Sequence, residues 1–196
     1  MPPRSKVDFL SSVVSMGNLN AWSIDTIAAT SFATKYYVGR IRPEEVAWKI
    51  ATGEMIDGVP SDVRQGVELL NLQSMEDFTA YTEGCPRHPS WPAMHSVGST
   101  ISLWMCVVCD MTPEQIRQAQ LTDFAVGYSR SVAGVHYYDD NLAGLILGQE
   151  IMAQELPDYL EKTYGADPRK VRNKIRSVLF DWRAKEREFL KPEWRF

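Results

Sequence analysis

Residues Ser129–Asp140 read SRSVAGVHYYDD, which places a guanidinium, a glycine break, an imidazole and a carboxylate within one short stretch. His136 and Asp140 are four residues apart and share a face in a helix, so the carboxylate can hold one ring nitrogen and leave the other free to bind or attack. Arg130 lies six residues before His136, on another face of an unbroken helix; Gly134 is where the chain can bend and bring both to one ligand. An arginine beside an oriented histidine suits a phosphate-type oxyanion. Directly downstream, NLAGLILGQEIMAQEL is strongly apolar with small residues at Ala143, Gly144 and Gly148, the pattern of a helix packed closely inside a bundle. No segment shows sustained strand alternation and no internal repeat recurs, so an all-α helical bundle is expected.

Two further stretches complete the constellation. Lys35 to Pro43 reads KYYVGRIRP, with Lys35 and Arg42 seven residues apart, and His88 to Ser96 reads HPSWPAMHS. With SRSVAGVHYYDD they resemble the three-part signature of the type 2 phosphatidic acid phosphatase and vanadium-dependent haloperoxidase superfamily: K-x6-R-P, then P-S-G-H, then S-R-x5-H-x3-D. The first and third parts match at every defined position. In the second, Pro92 and His95 fit, while Ala93 and Met94 stand where the family usually has Ser and Gly. The flanks RPEE, HPSWP and HYYDDNLAGLILGQ are most similar to the algal bromoperoxidases, over roughly Ala28 to Glu155. The resemblance implies a helical bundle of the haloperoxidase and acid phosphatase type.

It also implies roles. Lys35, Arg42 and Arg130, with the backbone at Ala93 and Met94, are expected to neutralise the oxygens of a tetrahedral or trigonal-bipyramidal oxyanion, with His136 in line at the apical position and held by Asp140. With vanadate as cofactor, His136 is the metal ligand, His95 assists peroxide binding, and hydrogen peroxide oxidises bromide or iodide. With a small phosphate ester instead, His136 is the nucleophile of a phosphohistidine intermediate and His95 the general acid, as in soluble acid phosphatases. A third alternative is a degenerate member that binds an anion without catalysis. It is made plausible by Ala93, where a missing hydroxyl removes a hydrogen bond worth roughly 1.5–3 kcal/mol. His88 matches a second histidine of the algal branch that tunes halide oxidation; its other reading is a loop histidine with no role.

Composition bounds these alternatives. The chain has 196 residues, enough for one domain with a sizeable core, expected to span 1–196. A net charge of -4 excludes a general nucleic-acid binder, so a basic pocket here is a small-anion site. The N-terminal MPPRSKVDFLSS is too polar for a signal peptide, and the apolar stretch 97–109 is too short to span a bilayer. A soluble, by default cytoplasmic protein is expected, without a membrane partner and as a homo-oligomer. Cys85, Cys106 and Cys109 give no disulfide framework, and Cys106 and Cys109 read as buried small hydrophobes.

Along the chain, residues 1–18 are expected as an N-terminal arm, with a helix from Asn20 delivering Lys35 and capped at Asn18 or Asn20. Pro43 restarts a helix, and Pro60-Ser61 opens another whose Val63, Val67 and Leu70 face reads as core. Residues 84–92 are expected as a stiff loop, 93–109 as one helix of about seventeen residues, and Thr112-Pro113 as a helix start. Pro157 to Gly165 reads as a short helix or turn, and 167–190 as one C-terminal amphipathic helix.

Overall fold

The computed structural model describes residues 6–190, which are helical with no strand among them. The helices are α1 Lys6–Val38, α2 Pro43–Ala51, α3 Ser61–Leu69, α4 Met94–Gly98, α5 Ile101–Val108, α6 Pro113–Val132, α7 Tyr138–Tyr164, α8 Pro168–Val178 and α9 Trp182–Phe189, with a single 3₁₀ turn at Met75–Phe78. The expected all-α bundle is what forms.

The apolar helix α7 is the axis of the bundle. Leu145 joins Phe124, Trp182 and Phe189; Met152 joins Ile27, Val97 and Leu103; Leu156 and Leu160 join Leu19, Trp104, Val171 and Ile175. Its most extensive partner is the short α4, and the glycines explain why. A Cβ on Gly144 would lie 2.7 Å from the Ala93 carbonyl oxygen, and one on Gly148 would lie 2.1 Å from that of Val97. Only hydrogen at both positions lets the two backbones meet.

Several sequence expectations are corrected. The first helix starts at Lys6 and not near Asn20, so residues 6–18 are helical and Asn18 and Asn20 lie in its interior; residues 1–5 of the expected arm lie outside the described residues. Met16 and Leu19 pack on the core cluster and carry the helix through the two asparagines. Gly39, at φ +66°, ends it by returning its N–H to the Lys35 carbonyl at 2.8 Å.

The single helix expected over 93–109 is broken at Ser99-Thr100 into α4 and α5. The Ser99 hydroxyl donates to the His95 carbonyl at 2.9 Å, and the start of α5 is capped by Asp123 of α6, whose carboxylate accepts the Ser102 N–H at 2.8 Å. A cap supplied from another helix leaves no local signal. Likewise 167–190 forms two helices, because Asp181 caps α9 through the Arg183 N–H at 2.9 Å. Conversely, α7 runs through Pro157 to Gly165, the buried proline being held by the surrounding core. The Val63, Val67 and Leu70 face expected as core is largely open: Val67 is half-buried, but Val63 is 49% and Leu70 55% exposed. Helix α3 leans chiefly on α2.

Candidate oxyanion site

The site forms where the end of α1, the 84–93 loop, the start of α4 and the α6–α7 turn converge. His136 is not in a helix: α6 ends at Val132, Gly134 takes φ +76°, and α7 begins at Tyr138. The pairing expected from helical spacing arises instead from this turn, with His136 Nδ1 3.2 Å from Asp140 Oδ2. Asp140 is fully buried and fully engaged. Its Oδ2 accepts the Ser90 hydroxyl at 2.5 Å and the Tyr137 N–H at 3.1 Å, and its Oδ1 accepts Arg40 at 2.8 Å. Burial raises the carboxyl pKa, but the bonds from His136 and Ser90 and the charge of Arg40 outweigh it, and the group stays below its ordinary value as an anion.

These partners assign the tautomer of His136: Nδ1 carries the proton toward the carboxylate, and Nε2 keeps its lone pair. The ring is 5% exposed, and burial, with Arg42 and Lys35 nearby, depresses its pKa to about 4 despite Asp140. His136 is therefore neutral at pH 7. In this tautomer its Nε2 accepts from Nη1 of Arg42 at 3.3 Å.

The cations differ in what they have left to give. Lys35 is completely buried and its ammonium donates to the carbonyls of Pro89 at 3.1 Å, Ser90 at 3.0 Å and Pro92. An ammonium has three N–H bonds, so Lys35 staples the loop and contributes charge to the site without a spare donor. Burial and Arg42 lower its pKa to about 8. Arg42 donates Nε to the His88 carbonyl at 2.9 Å and Nη1 to that of Val135 at 2.8 Å, and its Nη2 lies 3.1 Å from His88 Nδ1. Arg130 differs from both. Its guanidinium lies 4.2 Å over the Tyr81 ring, it is 9% exposed, and its Nε has no hydrogen-bond partner. A buried guanidinium with an orphaned donor calls for an anion.

Ala93, fully buried, directs its N–H to the Asp140 carbonyl at 2.9 Å, so it offers no amide to a ligand. The serines that could replace the missing hydroxyl are also committed: Ser90 to Asp140, and Ser96 to Asn141 Oδ1 at 3.2 Å. Met94 opens α4 half-buried, and His95 follows it, exposed, with no hydrogen bond to its ring among the described residues. Partial desolvation and the neighbouring Arg130, Arg42 and Lys35 lower the pKa of His95, as burial does for His88. The site residues named from sequence thus gather at one locus.

Sequence reasoning missed several neighbours. Arg40 bridges Asp139 at 2.7 Å and Asp140 while lying 4.1 Å over the Tyr137 ring. The adjacent carboxylates Asp139 and Asp140 were a signal that another cation was required. Cys85 Sγ lies 4.0 Å from Arg42 Nη1, and burial raises its pKa to about 11. Glu44 is buried beside Arg42 with Oε2 unpartnered, and burial raises its pKa too. Nothing in the sequence marked Tyr81, Cys85 or Glu44.

A family model described as the PAP2 superfamily matches residues 17–153. The chain belongs to the PAP2 superfamily. The match runs from the middle of α1 to the middle of α7 and so includes every residue of the site. No curated protein and no solved structure matches the chain. Members of the superfamily are usually phosphatases or haloperoxidases. The donor set here fits the oxyanion that either chemistry needs: an orphaned Arg130 Nε, the charges of Lys35 and Arg42, and a neutral histidine with one nitrogen anchored. Among the described residues no helix is long and apolar enough to cross a membrane, and no cluster of His, Cys, Asp and Glu forms a cation site.

Proposed function

We propose that this PAP2 protein is a vanadate-dependent haloperoxidase that uses hydrogen peroxide to oxidise bromide or iodide. The observation that carries the reading is His136: a buried neutral imidazole, anchored at Nδ1 by Asp140, with Nε2 turned toward the cations. In this reading His136 Nε2 would hold vanadate, while the charges of Arg130, Arg42 and Lys35 would balance those of its oxygens. When bound, vanadate supplies an electrophilic centre that activates peroxide toward halide. Arg130 would offer it the Nε–H that lacks a protein partner, and Arg42 could turn to it from its contact with His136. His95, exposed and deprotonated at neutral pH, accepts the proton of an incoming acid. His88 on Nη2 of Arg42 favours halide oxidation, because its titration changes the charge beside the oxyanion.

One observation favours phosphate-ester hydrolysis. The Cys85 thiol stands at the edge of the cluster, where a hypohalous product would oxidise it, whereas a phosphatase has no such conflict. In that reading His136 Nε2 attacks phosphorus as the ester oxygen leaves, and His95, protonated at acid pH, gives that oxygen its proton; water then releases the phosphate from His136. The deciding experiment loads purified protein with orthovanadate and follows bromination of a phenolic dye with peroxide, in parallel with aryl phosphate hydrolysis without vanadate. Bromination that requires vanadate and is abolished in His136→Ala is expected. Hydrolysis alone assigns a phosphatase, and neither activity leaves a non-catalytic anion binder.

A further inference from the structure

A groove of about 610 Å³ runs between the N-terminal half of α1, the end of α5 and the α7–α8 corner. It lies far from the oxyanion site: Leu19 on its floor and Lys35 are sixteen residues apart on α1, about 24 Å along a helix. The floor is apolar, built from Leu19, Leu160 and Val171 of one core cluster. Apolar surface continues to the rim, where Val108 is 41% and Tyr164 47% exposed.

The charge at this groove is one-sided. Lys170 and Lys174 are exposed, stand one turn apart on α8 and both line it. Neither makes an ion pair among the described residues, although the neighbouring Arg172 pairs with Asp158. No aspartate or glutamate is among the described residues that line the groove, in a chain whose net charge is -4. Two unpaired ammonium groups above an apolar trough match a molecule with one anionic end and one long apolar end. The volume suits such a molecule, whereas a partner helix about 10 Å across needs an open channel along its length.

We infer that this groove is a binding site for a single-chain fatty carboxylate, its head between Lys170 and Lys174 and its tail on Leu19, Leu160 and Val171. The tail gains by leaving water, and the head gains by facing lysines that no carboxylate among the described residues pairs with. Cys109 lines the same groove and offers a footprint, because an occupied groove shields its thiol from alkylation.

The test titrates the full-length protein with a dansyl-labelled long-chain carboxylate, in parallel with the alcohol of equal chain length, and follows maleimide labelling of Cys109 with Cys109→Ala as blank. Saturable binding of the carboxylate, weaker binding of the alcohol and protection of Cys109 are expected. Lys170→Glu/Lys174→Glu changes only exposed side chains and is expected to lower carboxylate affinity by at least about tenfold without altering the alcohol. Equal affinity for acid and alcohol, an unchanged double variant, or binding without protection of Cys109 each overturns the proposal. So does a protein dimer that Val108→Glu dissociates while carboxylate binding is absent, since the groove is then a contact between copies. These outcomes do not depend on the oxyanion site.

Discussion

His136 shows how burial and one hydrogen bond divide the work of an imidazole. Burial lowers the folded pKa to about 4 from an ordinary 6.5, so the unfolded chain takes up this proton first as the pH falls. The stability it contributes is full above pH 6.5 and is lost as the pH drops toward 4, on the order of 3 kcal/mol in all. His88 and His95 act in the same sense, and Asp123, raised to about 6 by burial, acts in the opposite sense. The difference between the parent and His136→Gln in urea titrations across this range isolates the term. It should show a flatter profile for the variant; parallel profiles would mean that His136 titrates normally in the fold. Lys35 gives a contrasting expectation. Lys35→Met leaves the buried carbonyls of Ser90 and Pro92 without their lysine donor at about 1–3 kcal/mol each and weakens the hold on the half-buried Pro89 carbonyl, so it should lower the urea midpoint severely. A variant as stable as the parent but weak in anion binding would show that Lys35 serves the ligand and not the loop.

At the scale of elements, the contact of α7 with α4 decides where Ala93, Met94 and His95 stand. Gly148→Ala puts a methyl 2.1 Å from the Val97 carbonyl oxygen, which is backbone and cannot swing away. Overpacking of this kind costs about 1–3 kcal/mol or more, so this substitution, harmless in an ordinary helix, should lower Tm and displace α4. Calorimetry with vanadate titration checks both effects, and wild-type Tm and affinity in the variant would show that the helices separate freely. Gly66 on α3 is the control, since a Cβ there meets nothing within 4 Å.

For the whole molecule, an oxyanion that binds only the folded chain raises its stability by mass action, about 2.7 kcal/mol at a hundredfold excess over Kd. Orthovanadate or phosphate should therefore raise Tm by several degrees, roughly 2–4 °C per kcal/mol for a chain of this size. Arg130→Ala should remove most of this shift, while the ligand-free Tm falls only by what the stacking on Tyr81 contributes, since Arg130 Nε has no protein hydrogen bond to lose. An unchanged ligand-induced shift in that variant would place the anion elsewhere. The bundle spends its apolar residues on α7 and leaves Val63 and Leu70 of α3 at the surface, so stability is concentrated around the central helix.

The sequence by itself determined the helical class, the placement of Pro, Gly and Thr that starts and stops α2, α3 and α6, and the identities and spacings of the site residues. These are local properties: periodicity, caps and motif spacing are carried by neighbours along the chain. It could not show that α4 ends at Ser99, because the cap that starts α5 comes from Asp123 on a different helix. It could not show that the Val63 and Leu70 face is open, because burial depends on which helix arrives opposite it. Within the site it named the cations but could not rank them. Whether an N–H reaches a ligand or a loop carbonyl depends on where Pro89, Ser90, Pro92 and Val135 fall in space. Only the tertiary structure brings those carbonyls to Lys35 and Arg42, leaving Arg130 with a buried donor to offer an oxyanion.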